Sequence, residues 1–532
     1  MHAAPTIGAN GIVNSADQAS AADAGIPRGG VFTIYGTEFA PREAQAPAVP
    51  LPTTLSTVRV RISAPSPLGV RDYYAPLHYV SPHQINAVLP SILPEGTAQL
   101  RVVVNSVPSE PVNIEVVHSR FSAFTWGGMG FGPAIAQQYD GSGSAALNLF
   151  RAPARPGNAV VLWGTGLGPV TADEDASPVG RNLRDDITIY AGGVAVKPVY
   201  AGRAPGLPGV DQINFYLPEG ASDGCFTPLL VEVAGVSAAL LTFSAGSEGN
   251  RCVSEFGLPE TALASLDEGK RLRVAVVNHD ADPGQAERQS VQAWVGEYDA
   301  AHLSLLATTR AFHKGAQTAW CEQRAYTRSR SQAPEEEDAL YGVRVLENVP
   351  LNLRVTGDEC AWGAASGTRI VEAPPNRACV ATDVELTMTV PGQERVVTSG
   401  ELPELPATVV RNFATVLSGE RLRATWEMVA DDEDDYRAAV TIGSTFTLPG
   451  NIFSGATTVR EVSCRLPASE EQSVFSREQT AWARGLQTQT PPALEVSRTG
   501  LRAVEPSAGE LSPRTVDLVL LRTRTGVSAT AN

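Results

Sequence analysis

The sequence predicts an all-β protein of tandem immunoglobulin-like (Ig-like) β-sandwich domains, two clear repeats followed by two degenerate β-domains. Three observations carry this. Tyr35-Gly36-Thr37 returns as Trp163-Gly164-Thr165, and Gln84-Ile85-Asn86 returns as Gln212-Ile213-Asn214, both 128 residues further on. A period that long marks two copies of a whole domain rather than a short solenoid unit. Apolar residues also gather in short runs rich in β-branched and aromatic side chains, while the rhythm of amphipathic helices is scarce. Finally, only 18% of residues are charged, against 48 glycines and 39 prolines, which suits a loop-rich β-protein better than a helical one.

The elements follow in the same order in each copy. Val31–Tyr35 and Val160–Trp163 are strand-forming runs that end at Gly-Thr. Val58–Ile62 alternates apolar and basic residues, as a strand does with one face in a core and one in water, and Ile187–Tyr190 is its partner in copy two. Gln-Ile-Asn comes next, then an apolar stretch ending in Leu89-Pro90 or Leu217-Pro218. Each copy closes with a hairpin-like pair: Leu100–Asn105 with Val112–Val117, and Leu229–Val233 with Val236–Phe243 about Ala234-Gly235. The copies span 1–118 and 119–254. Glu260–Asp267 is the one short helix expected.

Gly-Gly-Val-Phe-Thr-Ile-Tyr-Gly-Thr (29–37), Ala-Pro-Leu-His-Tyr-Val-Ser-Pro-His-Gln-Ile-Asn (75–86), Trp-Gly-Thr-Gly-Leu-Gly-Pro-Val (163–170) and Val-Asp-Gln-Ile-Asn-Phe-Tyr-Leu-Pro (210–218) are specific as a set. They resemble a family of secreted acidobacterial proteins, known by an uncharacterised C-terminal domain and related in style to Ig-like IPT/TIG modules. The resemblance covers about residues 5–254. It implies an all-β Ig-like module and supplies no catalytic residues. Copy two departs by carrying extra residues between Tyr200 and Gln212 relative to Tyr79 and Gln84, so the strands around that loop are not expected to superpose.

Residues 255–398 and 399–532 read as the two further β-domains, with a boundary at Ser399–Pro406 where Pro403 and Pro406 interrupt the alternation. Leu272–Val277, Gly342–Leu346, Leu351–Val355 and Val384–Val390 are strands of the first. Leu422–Val429 and Ala438–Ile442 form a hairpin across an acidic loop in the second, and Val516–Leu521 is its last strand.

Net charge is −16 and the isoelectric point about 5.0, which disfavours nucleic acid and anionic membranes as partners. No apolar run approaches the roughly 20 residues of a transmembrane helix. The start, Met1-His2-Ala3-Ala4-Pro5, lacks the basic and hydrophobic regions of a signal peptide and reads as a mature exported chain. Six cysteines without a Cys-x-x-Cys pair argue against zinc ribbons and thioredoxin-type sites. Cys225 and Cys252 flank the hairpin of copy two and are expected to form a disulfide. Cys321, Cys360, Cys379 and Cys464 allow three pairings, among which the sequence does not choose.

The chemistry-bearing motifs are missing. No Gly-x-Ser-x-Gly or His-Glu-x-x-His occurs; Asp140–Ser144 has the wrong spacing for a nucleophile elbow. Gly164-Thr165-Gly166-Leu167-Gly168 leads into Pro169 rather than a helix and is read as a turn. The loop 127–132 joins the copies. No catalytic, cofactor-binding or metal-binding residue is assigned, and no cofactor is expected. Calcium is the one cation weighed, at Asp431–Asp435, whose adjacent carboxylates point opposite ways on an extended backbone. Pro334–Asp338 reads as a solvated loop, and the same weighing of calcium covers Asp280–Asp282 and Asp173–Asp175. His78 and His83 read as partly exposed loop histidines, and Gln84/Asn86 with Gln212/Asn214 as residues serving loop backbone groups at the inter-domain seam. Trp126, Trp163, Trp294, Trp320, Trp362, Trp426 and Trp482 are candidates for sugar stacking, with core packing the plainer role.

The function read from these features is a secreted or cell-surface, non-catalytic binding or scaffold protein that presents loops to a protein or glycan partner. The alternatives are an extracellular carbohydrate-active enzyme with its site in 255–532, and a self-assembling surface component.

Overall fold

In a computed structural model the chain is mostly β-sheet, divided into two compact units: residues 1–148, 154–221 and 229–243 form one, and 149–153, 222–228 and 244–532 the other. The structure describes residues 4–22, 24–141, 143–171, 183, 186–233, 236–237, 241–246, 251–254, 256–281, 289–304, 320–328, 343–346, 349, 351–357, 360–365, 370–372, 380–390, 393–403, 408–418, 421–430, 437–447, 457–466, 472–475, 493–504, 506 and 516–530.

The first unit holds two successive β-sandwiches. In the first, β1 (Thr6–Asn14), β2 (Val31–Thr37), β4 (Leu77–Val80) and β5 (Gln84–Val88) form one sheet in the order β1-β2-β5-β4 with Ala44–Gln45 at its edge. The facing sheet contains β3 (Val58–Ser66), β6 (Gly96–Val104) and β7 (Val112–Val117), flanked by Ile26–Pro27 and Gly69–Tyr74. Alternation explains the layering. Phe32 and Ile34 point inward from β2, Val58, Val60 and Ile62 from β3, and all are fully buried in one core.

The second sandwich follows with β8 (Ser122–Ala123), β9 (Ala136–Tyr139), β10 (Ala145–Leu147), β11 (Ala159–Thr165), β12 (Ile187–Ala191), β13 (Tyr200–Arg203), β14 (Asp211–Tyr216), β15 (Gly224–Val233) and β16 (Leu241–Ala245). One sheet runs β10-β9-β11-β14-β13, with β8 also on β11; the other carries β16, β15 and β12. The pairings of the first sandwich recur. Val31 faces Val88 and Tyr35 faces Gln84 across β2–β5; 128 residues on, Ala159 faces Tyr216 and Trp163 faces Gln212 across β11–β14. Tyr79 lies opposite Asn86 as Tyr200 does opposite Asn214, so these strands keep their register despite the extra residues of copy two. Those residues extend the turn after β13 instead. The expected hairpin turn at Ala234-Gly235 lies outside the described residues, but Val233 pairs with Val236 on either side of it.

The second unit opens with α1 (Glu260–Asp267), whose Ala262, Leu263 and Leu266 are buried. Its core gathers Phe150, Phe226, Phe256, Trp294 and Tyr298. A disulfide joins Cys225 to Cys252, with 4.9 Å between their Cα atoms. The largest sheet has nine strands. It includes β17 (Leu272–Ala281), β18 (Ser290–Tyr298), β19 (Trp320–Arg328), β26 (Arg437–Thr447), β27 (Thr457–Leu466), β29 (Ala493–Val504) and β30 (Leu518–Thr530), in the order β19-β27-β26-β29-β30-β17-β18. Smaller sheets are formed by β20 (Leu351–Gly357), β21 (Cys360–Ala365), β22 (Ala381–Val390) and β23 (Gln393–Glu401), and by β24 (Thr408–Ser418), β25 (Arg421–Ala430) and β28 (Gln472–Phe475).

The nine-stranded sheet draws strands from both sides of the boundary expected at 399–406. Val274 of β17 pairs in parallel with Leu518 of β30, nearly the whole of this unit apart in sequence. A parallel neighbour reached through a long crossover leaves no mark on local periodicity. The hairpin expected between Leu422–Val429 and Ala438–Ile442 is likewise replaced: β25 pairs with β24 and β28, and β26 with β27 and β29. Cys321 and Cys464, left open by the sequence, are register partners across β19 and β27, while Cys379 lies outside the described residues.

Candidate binding face

The side chains that repeat between the sandwiches occupy the outward face of one sheet in each. Along β14 the pattern alternates: Ile213 and Phe215 are buried, whereas Gln212 and Asn214 are partly exposed and Tyr216 is 55% exposed. Register places three cross-strand rows on this face. Tyr139, Ala159 and Tyr216 form the first; Leu147, Gln137, Val161, Asn214 and Tyr200 the second; Trp163 and Gln212 the third. The face is thus built of aromatic rings and carboxamides around the small side chains of the central strand β11. None of these residues is ionisable at neutral pH.

The amides are held by each other. Gln212 Nε2 donates to Asn214 Oδ1 at 2.9 Å, and Gln84 Nε2 donates to Asn86 Oδ1 at the same distance. Residues i and i+2 of a strand share a face, which makes the bond geometrically natural. The expectation that these amides serve backbone groups at a seam is therefore corrected. Fixing one N–H of Gln212 leaves its carbonyl oxygen, and the Asn214 amino group, available on the open face.

Beneath the face lies an ion pair that no motif signalled. Arg203 and Asp211 are 1% and 0% exposed and bond through Nη1 and Oδ1. Asp211 Oδ2 accepts from the Leu167 N–H at 2.7 Å, and Arg203 Nη2 donates to the Gly168 carbonyl at 3.0 Å. Each charge is consumed by the turn that follows Trp163, so the pair anchors the end of β11 to the start of β14. Gly166 in that turn has φ +100°, and a Cβ there would collide with the Arg120 carbonyl. Gly164–Gly168 is accordingly a braced turn. Tyr200 donates its hydroxyl to the Arg203 carbonyl, and burial, then the Asp211 charge, raises its pKa. The sequence signal available was Asp211 itself, set immediately before the repeated Gln-Ile-Asn where copy one has His83.

In the first sandwich the chain covers part of the equivalent face: Val31, Thr33 and Val88 are buried, while Tyr35 remains 39% exposed. Ser15 Oγ bonds Thr33 Oγ1 at 2.8 Å, and the Tyr35 hydroxyl donates to Gln18 Oε1 at 3.2 Å. At the other end of β2 the extended turn of the second sandwich is seated. His78 Nε2 donates to the Pro208 carbonyl at 2.9 Å, and Gly209, at φ +75°, lies so close that a Cβ would sit 2.8 Å from Val31 Cγ2 and 2.9 Å from Val88 Cγ2. Thr165 Oγ1 completes the seam, accepting from the Val31 N–H at 2.8 Å and donating to the Gly209 carbonyl at 2.7 Å. Asp17 takes Arg120 at 2.7 Å and the Ser122 hydroxyl at 2.6 Å. Thr165, His78 and Asp17 thus fill the role expected of the repeated amides.

His78 is a strand residue in this seam rather than a loop residue, and desolvation lowers its pKa from 6.5 despite the favourable carbonyl. His83 is in an exposed loop, with Nδ1 3.2 Å from the Gly36 carbonyl. Among the tryptophans, Trp294 and Trp362 are core residues, Trp126 is 49% exposed and Trp163 lies on the open face. The side chains of Trp320 and Trp426, and the whole of Trp482, fall outside the described residues, as do the acidic runs 173–175, 335–338 and 431–435. Among the described residues no three His, Cys, Asp or Glu side chains are grouped to hold a metal, and no helix is long and apolar enough to cross a membrane.

No family model matches this chain, and no curated protein matches it. Among solved structures, it is similar to a mixed-linkage glucan utilization locus protein, SGBP-B, of Bacteroides ovatus in complex with a mixed-linkage heptasaccharide (10% identity over 82% of this chain and 93% of that chain, TM-score 0.14). Domains 5-6 of the S-layer protein SbsC match at 12% identity over 46% of this chain and 100% of that one, TM-score 0.14. The FN1-FN3 domains of chicken CNTN1 match at 9% identity over 71% and 95%, TM-score 0.13. At such scores none of these similarities bears on what this chain binds.

Proposed function

We propose that this chain is a non-catalytic binding protein, working outside the cell or at its surface, whose second sandwich takes a glycan on the open sheet face. The observation that carries this reading is the rows themselves: Trp163, Tyr139 and Tyr216 beside Gln137, Gln212 and Asn214, with no side chain among them charged at neutral pH. Aromatic faces offer large apolar contact with little conformational entropy to lose, which suits the C–H faces of sugar rings. Carboxamides both donate and accept, which suits hydroxyl groups. The Gln212–Asn214 bond orders the two amides before any ligand arrives. Export is supported by the Cys225–Cys252 disulfide, a bond that persists in oxidising compartments, and by the resemblance of residues 5–254 to secreted acidobacterial modules.

The test is binding of the full chain to an immobilised panel of plant, microbial and animal polysaccharides, alongside Trp163→Ala. Retention by at least one polysaccharide, weakened tenfold or more by the substitution, is the expected result. A chain retained by none of the panel refutes the reading.

A further inference from the structure

Resting on that reading, we infer that the ligand is a neutral polysaccharide in extended form, bound along its length rather than at its end. Three features of the face lead there. First, its described side chains carry no cation to pair with a uronate or sulfate, and the chain bears a net charge of −16. An anionic polymer would therefore meet repulsion with nothing to offset it. The nearest buried cation, Arg203, is fully engaged by Asp211 and the Gly168 carbonyl.

Second, the rows define a track. Ala159, small and partly exposed, lies between Tyr139 on one neighbouring strand and Tyr216 on the other, and the next outward position, Val161, is 5% exposed between Gln137 and Asn214. Two inter-strand spacings of about 4.8 Å place the two tyrosines roughly 10 Å apart, room for one sugar chain over Ala159 that continues across the Gln137 and Asn214 amides flanking buried Val161 towards Trp163. A sheet surface encloses no terminus, so it recognises repeated ring faces and not a reducing or non-reducing end. Aromatic contacts of this kind contribute modestly each, so affinity accrues only over several rings.

Third, the first sandwich shows the same track in use. There Val31, the counterpart of Ala159, and Val88, the counterpart of Tyr216, seat the narrow Pro208–Gly209 segment of the chain. The counterpart position in the second sandwich is open, with Tyr216 at 55% and Val199 at 58% exposure.

The experiment is affinity gel electrophoresis of the full chain in galactomannan, arabinoxylan and soluble β-glucan against polygalacturonate at low salt. Competition with mannose, xylose and glucose, and with the matching hexasaccharides, completes it. Retardation by a neutral polymer only, relieved by a hexasaccharide at concentrations at least a hundredfold below the monosaccharide, is expected. Tyr216→Ala is expected to weaken retardation at least fivefold with an unchanged circular dichroism spectrum, and Tyr35→Ala to leave it unchanged. Equal retardation by polygalacturonate overturns the neutral class, and equal competition by the monosaccharide overturns mid-chain binding; in both cases the glycan site itself stands. Retardation that survives a Trp163→Ala/Tyr216→Ala double variant, or is absent in every gel, refutes the underlying site.

Discussion

The two sandwiches of the first unit carry the same aromatic–Gln–Asn–Tyr set at the same register and at similar exposure, yet they differ beside it, where Val88 is fully buried and its counterpart Tyr216 is 55% exposed. In the first, Tyr35 is 39% exposed with its hydroxyl on Gln18, and Gln84, Asn86 and Tyr79 are partly exposed, while Pro208–Gly209 closes the end of the face at Val31 and Val88. In the second, Trp163, Gln212, Asn214 and Tyr200 lead onto an open surface. The difference comes from one turn. Copy two lengthened the connection after β13, and the added residues became the part that closes copy one. A shared motif therefore marks a shared scaffold, while a short insertion decides which copy has the end of that face closed.

The strongest way to break the comparison is through the ion pair that only the second sandwich has. Asp211→Ala removes the carboxylate that faces the buried Arg203 charge, and a loss of about 3–5 kcal/mol is expected in denaturant unfolding of the full chain. His83→Ala, at the corresponding position of the first sandwich and exposed, is expected within about 0.5 kcal/mol of wild type. Comparable losses from both would show that the pair does not distinguish the copies.

Gly209→Val tests the closure itself. It combines a left-handed backbone with overlap on Val31 and Val88, for an expected cost of about 1–3 kcal/mol. Gly206→Ala is the control in the same turn: φ is +79° but a Cβ meets nothing within 4 Å, so its cost should be smaller. Equal costs would mean that the seam does not depend on the close approach.

Val88 and Tyr216 occupy equivalent register positions at 0% and 55% exposure. Truncating the first to alanine should destabilise by about 2 kcal/mol, from two buried methyl groups, and truncating the second by less than about 0.5 kcal/mol. Thermal unfolding of the two variants side by side sharpens the assignment of closed and open faces.

The smallest expected effect is on pH dependence. Burial holds the His78 pKa below 6.5, so between the two values the unfolded chain binds more protons than the folded one. Stability contributed by neutral His78 is present above pH 6.5 and falls as the pH drops through that value towards the lowered one. His279 shifts the same way in the second unit, mainly by desolvation, and acts independently. Unfolding of wild type and His78→Gln between pH 8 and 5 should therefore show a shallower acid-side decline in the variant, with the His279 share remaining. Parallel curves would remove His78 from the seam.

Much of the scaffold was legible in the residues. Val31–Tyr35, Val58–Ile62 and Gln84–Asn86 announced strands by composition and alternation, Glu260–Asp267 is the helix it was expected to be, and Cys225 pairs with Cys252. The face was half legible. Its amides and Trp163 stood out through repetition, and Tyr216 lies in the same motif where copy one has Val88, but Tyr139 and Gln137 sit in no repeated motif, and only pairing brings them alongside. Arg203 escaped notice because a lone arginine in a turn-rich stretch carries no periodic signal.

What the sequence by itself determined is local: which runs extend, which side alternates inward, and that two domains follow one plan. Those properties depend on neighbours a few residues away, where backbone sterics and a period of two are decisive. The tertiary structure decided what is distant: that β30 lies beside β17, that Arg203 and Asp211 neutralise each other under the turn after Trp163, and that one face is closed at Val31 and Val88 while its twin exposes Tyr216. Burial and register between remote strands set these, and both exist only once the chain has closed on itself.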